Sequence, residues 1–147
     1  MLIRNFKPTD QHDVIRLWNK CRLTRPWNNP ILDIKRKLDG QPDWLIVAVD
    51  ASAIIGSVMV GYDGHRGWIN YLAVDPDHQR SGIGRELMLE AERRLLHKGC
   101  PKISLQIRDD NEEAISFYES IGFSRDPVFS FGKRLIPDAP PYSPDGG

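Results

Sequence analysis

Cysteine is scarce: Cys21 and Cys100 are the only two in 147 residues, and their spacing forms no CxxC pair. They make no disulfide framework, and with His12, His65, His78 and His97 they form no metal-ligand pattern, so no metal is expected. Both thiols are expected reduced, in a cytoplasmic protein. Net charge is also missing, because twenty basic and twenty acidic residues cancel. Nothing global attracts nucleic acid or an anionic membrane, and neither is expected as a partner; a phosphate site must supply its own positive potential. No apolar run has the length of a signal peptide or membrane span, the start Met1-Leu2-Ile3-Arg4-Asn5-Phe6 included. Internal repeats are absent too.

What is present reads as one domain over residues 1–136, followed by a Pro/Gly-rich tail, 137–147, expected to be flexible. Residues 2–6 read as a strand. Thr9 or Asp10 can cap a helix carrying Val14, Leu17, Trp18 and Cys21 on one face. Arg25-Pro26-Trp27-Asn28-Asn29-Pro30 breaks regular structure, and Pro30 opens a second helix through Ile31, Ile34 and Leu38 that stops at Gly40. Residues 44–49, 53–62 and 67–74 read as three antiparallel strands joined by hairpins at 50–52 and 63–66. A helix over 82–98 ends at Gly99, and residues 103–107 alternate as a further strand. Asn111-Glu112-Glu113 caps a last helix bearing Ala114, Phe117, Tyr118 and Ile121. Phe123 and residues 128–135 then read as final strands, with Phe129 and Phe131 assigned to core packing. Such a strand, left exposed, would offer an edge for a homodimer.

The segment Asp75-Pro76-Asp77-His78-Gln79-Arg80-Ser81-Gly82-Ile83-Gly84 joins a strand to a helix, where unpaired amides and the helix dipole favour phosphate oxygens. Gly82 and Gly84 are expected to let a ligand approach. An ordinary strand-to-helix turn reads the same way. The run has no Gly-Lys-Ser/Thr ending and no third glycine in dinucleotide spacing, which disfavours a nucleoside triphosphatase and a nicotinamide enzyme.

Two stretches resemble the GNAT superfamily of acetyl-CoA-dependent N-acetyltransferases. One is Leu72-Ala73-Val74-x-Pro76 with Gln79-x-x-Gly82-x-Gly84; the other is Asn111-x-x-Ala114-x-x-Phe117-Tyr118-x-x-x-Gly122-Phe123. Arg25-Pro26-Trp27-Asn28 and Gly61-Tyr62-Asp63-Gly64-His65-Arg66-Gly67 resemble its bacterial YpeA-type branch. The resemblance implies an α/β (α+β) fold with a mixed, mostly antiparallel central sheet flanked by helices and splayed between strands four and five. It implies acetyl-CoA as co-substrate, held at the pyrophosphate by Gln79, Arg80, Ser81, Gly82, Ile83, Gly84 and Arg85. Along the pantetheine arm, Leu72, Ala73 and Val74 would pair as a strand would, and Asn111 would touch the other side. Gln79 stands where many members carry arginine.

The implied reaction is direct attack of a primary amine on the thioester, with no cysteine nucleophile; both thiols are placed away from the thioester. A backbone amide around Leu72 would stabilise the carbonyl oxygen. Tyr118 would protonate the leaving thiolate, since a phenol near pKa 10 keeps its proton at neutral pH; its other reading is a core aromatic. Asp63, His65 and Tyr71 are candidate bases or acceptor contacts, and 63–67 also reads as a plain exposed turn. Arg25 and Trp27 wall an acceptor pocket, or else are a surface charge and a loop anchor. The acceptor is open between a small amine and a protein N-terminus or lysine. At pH 7 an α-amino group is about 10% neutral and a lysine about 0.04%, a gap of about 3 kcal/mol. A domain that senses acyl-CoA without turnover is the alternative.

Overall fold

In the computed structural model, residues 1–138 and 143–144 are described. Five strands form one sheet in sequence order: β1 (Leu2–Asn5), β2 (Leu45–Asp50), β3 (Ala53–Tyr62), β4 (Gly67–Val74) and β5 (Ile103–Leu105). The first three pairings are antiparallel and β4 with β5 is parallel. The loop between β2 and β3 is tight because Ala51 and Ser52 both take positive φ, 48° and 69°, which suits the right-handed strand twist.

Helices cover both faces. Helix α1 (Gln11–Lys20) and α2 (Pro30–Gly40) lie on one side, α3 (Ile83–His97) on the other, and α4 (Glu112–Ser120) follows β5. Leu45, Ile46, Val47 and Ala48 are all fully buried. Strand alternation explains it: Leu45 and Val47 join Val14, Leu17, Trp18 and Ile34, whereas Ile46 and Ala48 join Leu87, Met88, Ala91 and Leu95. Asn29 caps α2 by accepting from the amides of Ile31 (3.0 Å) and Leu32 (3.3 Å), with Pro30 in the first turn.

Asp10 does not cap α1 through its side chain. Its carboxylate instead takes two bonds from Arg4 (2.8 and 3.1 Å) and one from the Lys7 amide (2.8 Å). The Arg4 hydrogen bonds hold this buried carboxyl below the usual carboxylate range. A depressed folded pKa adds stability above the unfolded value of about 3.9, and that stability is lost as pH falls through the folded value. Asp10→Ala is therefore expected to cost about 2 kcal/mol at pH 7 and progressively less as pH falls below the unfolded carboxyl value of about 3.9. Urea denaturation at pH 7 and at about pH 3 measures it; an equal loss at both would remove Arg4 as the cause.

The expected final strands do not form. Among the described residues no strand follows β5, and residues 124–137 run as an exposed strap. Phe129 and Phe131 are 94% and 93% exposed rather than in the core. Beta5 offers only three residues to pair with, and Pro127 and Gly132 interrupt the strap. The strap is tethered by side chains: Lys102 to Asp126 at 3.0 Å and Gln106 to Ser130. The homodimer edge assigned to a final strand is therefore not formed. At the strap's end Asp138, expected in the flexible tail, is buried, accepting from the Asn29 amide (2.6 Å) and Arg36 (2.8 Å). Residues 139–142 and 145–147 of that tail lie outside the described residues.

Candidate active site

Beta4 and β5 stay in register only from Gly67 opposite Ile103 to Ile69 opposite Leu105. Beta5 stops there, while β4 continues to Val74. The expected splay is present, and among the described residues the edge of β4 from Asn70 onward has no strand beside it. On the other side Ala73 pairs with Ser57, and the Asp75 amide donates to the Ile55 carbonyl at 2.8 Å. Antiparallel alternation then turns the amides of Leu72 and Val74 toward the side that β5 has vacated.

A bulge sets that edge. Ser57 opposes Ala73 and Met59 opposes Asn70, so Tyr71 and Leu72 share Val58 as partner, and Tyr71 has φ 52°. A connected set of contacts holds this left-handed residue. Trp18 stacks on the Tyr71 ring at 3.8 Å, the Trp18 indole N–H donates to Ser57 Oγ (2.8 Å), and Ser57 Oγ donates to the Tyr71 carbonyl (2.9 Å). The Tyr71 hydroxyl donates to Asp33 Oδ2 at 2.6 Å. Trp18 and Ser57 have no exposed surface. Ser57→Ala leaves a buried indole N–H and a carbonyl unpaired, so a loss of about 2 kcal/mol and about 6 °C in Tm is expected by scanning calorimetry. Ser57→Thr, which keeps the hydroxyl, should recover most of it; no recovery would mean volume rather than the hydroxyl matters.

Beyond Val74 the chain enters the glycine turn. Asp75 accepts from the Asp77 amide (2.9 Å) and from Lys20 (2.9 Å), and Lys20 also reaches Asp77 (3.0 Å), fastening the turn to the end of α1. No backbone N–H from Gln79 to Arg85 donates to an acceptor among the described residues. Gln79, Arg80, Ser81, Gly82 and Arg85 are exposed, and Ile83 packs inward. Arg80 and Gly82 adopt φ 66° and 81°, which turns successive amides to one side ahead of α3. A Cβ placed on Gly82 meets nothing within 4 Å. Nδ1 of His78, beside the turn, is a buried nitrogen with no hydrogen-bond partner among the described residues. These open donors at a helix start fit a diphosphate. Gly84 serves differently from the expectation: a Cβ there would lie 3.2 Å from Phe117 Cζ, so it lets α4 pack against α3.

Tyr118 sits between Phe117 and Phe123 in edge-on contacts of 5.2 and 5.5 Å, and desolvation by burial pushes its phenol up to about 12. Its hydroxyl makes no hydrogen bond with the described residues. Asn111 is exposed and caps α4, its Oδ1 accepting from the Ala114 amide at 3.1 Å. A cavity of about 1110 Å³ lies along the outer edge of β5 beneath the strap; of the expected site residues only Tyr118 lines it. The vacated edge of β4 and its glycine turn lie away from that cavity, which is lined by β5, α4 and the strap.

Trp27 is half exposed, with the Arg108 guanidinium 5.5 Å from its ring centre. Arg25 donates through Nη1 to the Arg22 (2.8 Å) and Thr24 (3.2 Å) carbonyls. Asp63 and His65 lie elsewhere. Their turn closes at the Tyr62–Gly67 pair, at the opposite end of β4, about 13 Å of strand from Tyr71. Asp63 accepts from the amides of Arg66 (2.7 Å) and His65 (2.8 Å) and from the Trp68 indole (3.2 Å), and these bonds, Arg66 foremost, lower it to about 2. So acidic a carboxyl is a turn cap, not a base. Cys21, expected away from the site, donates to the Val74 carbonyl at 3.2 Å, and burial raises its pKa, which keeps it a thiol.

Asp33, Trp18 and Ser57 had no sequence signal for this role, because the contacts that define it join residues 14 to 39 positions apart.

A sequence profile described as the acetyltransferase (GNAT) family matches residues 11–123. A protein named acetyltransferase from Sodalis glossinidius is 48% identical over 139 residues, 94% of this chain and 98% of that protein. Another, from Pectobacterium atrosepticum, is 47% identical over 138 residues, again 94% and 98%. Among solved structures, Ard1 from Thermoplasma volcanium superposes with TM-score 0.73 at 30% identity, covering 84% of this chain and 82% of that one. The PaiA N-acetyltransferase from Thermoplasma acidophilum, solved with coenzyme A, shares the fold at TM-score 0.75 and 20% identity over 87% and 92%. With the splayed sheet and the open glycine turn, these likenesses establish that the chain belongs to the GNAT family of acetyltransferases.

Proposed function

We propose that the chain moves an acetyl group from acetyl-CoA to a primary amine by direct attack, both substrates bound together. The observation that carries this reading is the continuity of open backbone donors from Leu72 and Val74 on the vacated edge of β4 to the amides of Gln79–Arg85. Bound there, acetyl-CoA supplies an activated acetyl thioester. The turn amides, with Arg80 and Arg85 beside them, hold the diphosphate. Val74 pairs with the amide-bearing arm as an added strand would, and the free side-chain amide of Asn111 borders it from α4.

The Leu72 amide, aimed by the bulge, donates to the carbonyl oxygen as negative charge builds there. Tyr118, with a phenol near 12, keeps its proton throughout the physiological range and presents it to the departing sulfur, whose thiol pKa is about 8.5. The proton balance closes when the proton that the attacking nitrogen loses on becoming an amide is passed through solvent to the Tyr118 phenolate, restoring the phenol. Tyr71 is fixed by Asp33 and Trp18 and positions the bulge rather than acting as base. Since neither Asp63 nor His65 reaches the site, an acceptor that is appreciably neutral at pH 7, such as an α-amino group, needs least help.

Acetyl-CoA at one hundred times its Kd should add about 2.7 kcal/mol to stability, about 8 °C in Tm for a chain of this length. No shift at millimolar acetyl-CoA would remove the coenzyme site.

A further inference from the structure

Three arginines from separate parts of the chain border the loop before α2. Arg108 lies beyond the end of β5, with its guanidinium over the Trp27 ring. Arg25 is two residues before Trp27, and its Nε and Nη2 have no partner among the described residues. Arg134, from the strap, donates to Asn28 Oδ1 at 2.9 Å. No carboxylate of the described residues pairs with Arg25 or Arg108, although Asp109 and Asp110 directly follow Arg108. The neighbourhood already holds one anion: the Asp138 carboxylate, with a side chain only 1% exposed, accepts from the Asn29 amide and Arg36. The loop is also tied to the bulge, because Asp33, in the first turns of α2, accepts from Tyr71.

A guanidinium held over an indole by cation–π attraction spends no N–H donor on that contact, and the Arg108 side chain makes no hydrogen bond or ion pair with the described residues, so its donors are open to a carboxylate or phosphate. Trp27 leaves half its surface open beside it. We infer that this loop sets the acceptor class: a primary amine that carries a carboxylate or phosphate, the anion paired by Arg108 and Arg25 and the carbon skeleton laid against Trp27. The inference rests on the acetyltransferase reading above. Polycationic amines meet like charge at the same loop and are disfavoured.

Matched amines test it, with coenzyme A release as the readout: a peptide beginning with Asp against the same peptide beginning with Asn, phosphoethanolamine against ethanolamine, and spermidine. The anionic member of at least one pair should have kcat/KM at least tenfold above its neutral partner, and the responding pair tells a peptide carboxylate from a phosphate. In the Arg25→Gln/Arg108→Gln double variant that ratio should fall below threefold. Equal rates within both pairs, preference for spermidine, or a ratio unchanged in the double variant would overturn the inference. Should no amine turn over, calorimetric binding of N-acetylaspartate against N-acetylasparagine to the protein saturated with coenzyme A decides it. Selective binding of the former, lost in the double variant, supports the inference, and no selectivity refutes it. Failure of the coenzyme site on which that reading depends is seen separately, as absence of any acetyl-CoA binding, and acetyl-CoA binding without turnover of any amine marks the sensing alternative.

Discussion

Tyr118→Phe is expected to lower kcat about 100-fold, the middle of the range for losing a positioned proton donor, with the acetyl-CoA Kd within twofold of the parent. The ring remains to pack against Phe117 and Phe123, and the hydroxyl it loses makes no hydrogen bond with the described residues. Stability should therefore change by less than about 0.5 kcal/mol. Because the phenol is held near 12, the parent's kcat/KM should rise with pH as the acceptor amine loses its proton and show no fall before about pH 10. Equal turnover in the two proteins, with coenzyme binding intact, would place the proton source elsewhere.

Gly82→Val acts on binding. Gly82 has φ 81°, a region that costs a β-branched residue about 1–2 kcal/mol. The new Cβ meets no atom of the described residues beyond its chain neighbours within 4 Å, so the fold accommodates it; the strain and the methyl groups fall on the turn whose amides are proposed to hold the diphosphate. The acetyl-CoA Kd should rise at least about 30-fold, equivalent to about 2 kcal/mol, with Tm down by about 3–6 °C. Gly82→Ala should show a smaller rise. A Kd within twofold for Gly82→Val would show that the coenzyme does not lie on this turn.

The sequence carried the local decisions well. Asn29-Pro30 announced α2, Asp50-Ala51-Ser52 announced a hairpin, and the shift from alternation to helical spacing around Gly82 marked the strand-turn-helix unit on which the site is built. Each signal is a near-neighbour effect of caps, turns and periodicity. The misses concern contacts between distant segments. Alternation of Phe129 and Phe131 about Ser130 reads as a strand, yet pairing needs a partner edge, and β5 is only three residues long. Asp63 and His65 carry the right groups for proton transfer, but the hairpin register places them at the end of β4 opposite the glycine turn. The Trp18–Ser57–Tyr71 stack that shapes the bulge joins a helix to two strands and has no short-range signature. Gly84 shows a subtler limit: its absence of a side chain was legible, but Phe117 as the reason was not.

Titrating ¹⁵N-labelled protein with coenzyme A tests the site most directly. The amide resonances of Gln79–Arg85, Leu72 and Val74 should shift together and saturate at one Kd, while His65 and Arg66 in the far hairpin stay put. Shifts confined to Ser104, Gln106 and Phe123, around the cavity on the outer edge of β5, with the glycine turn silent, would contradict the placement of the coenzyme on β4.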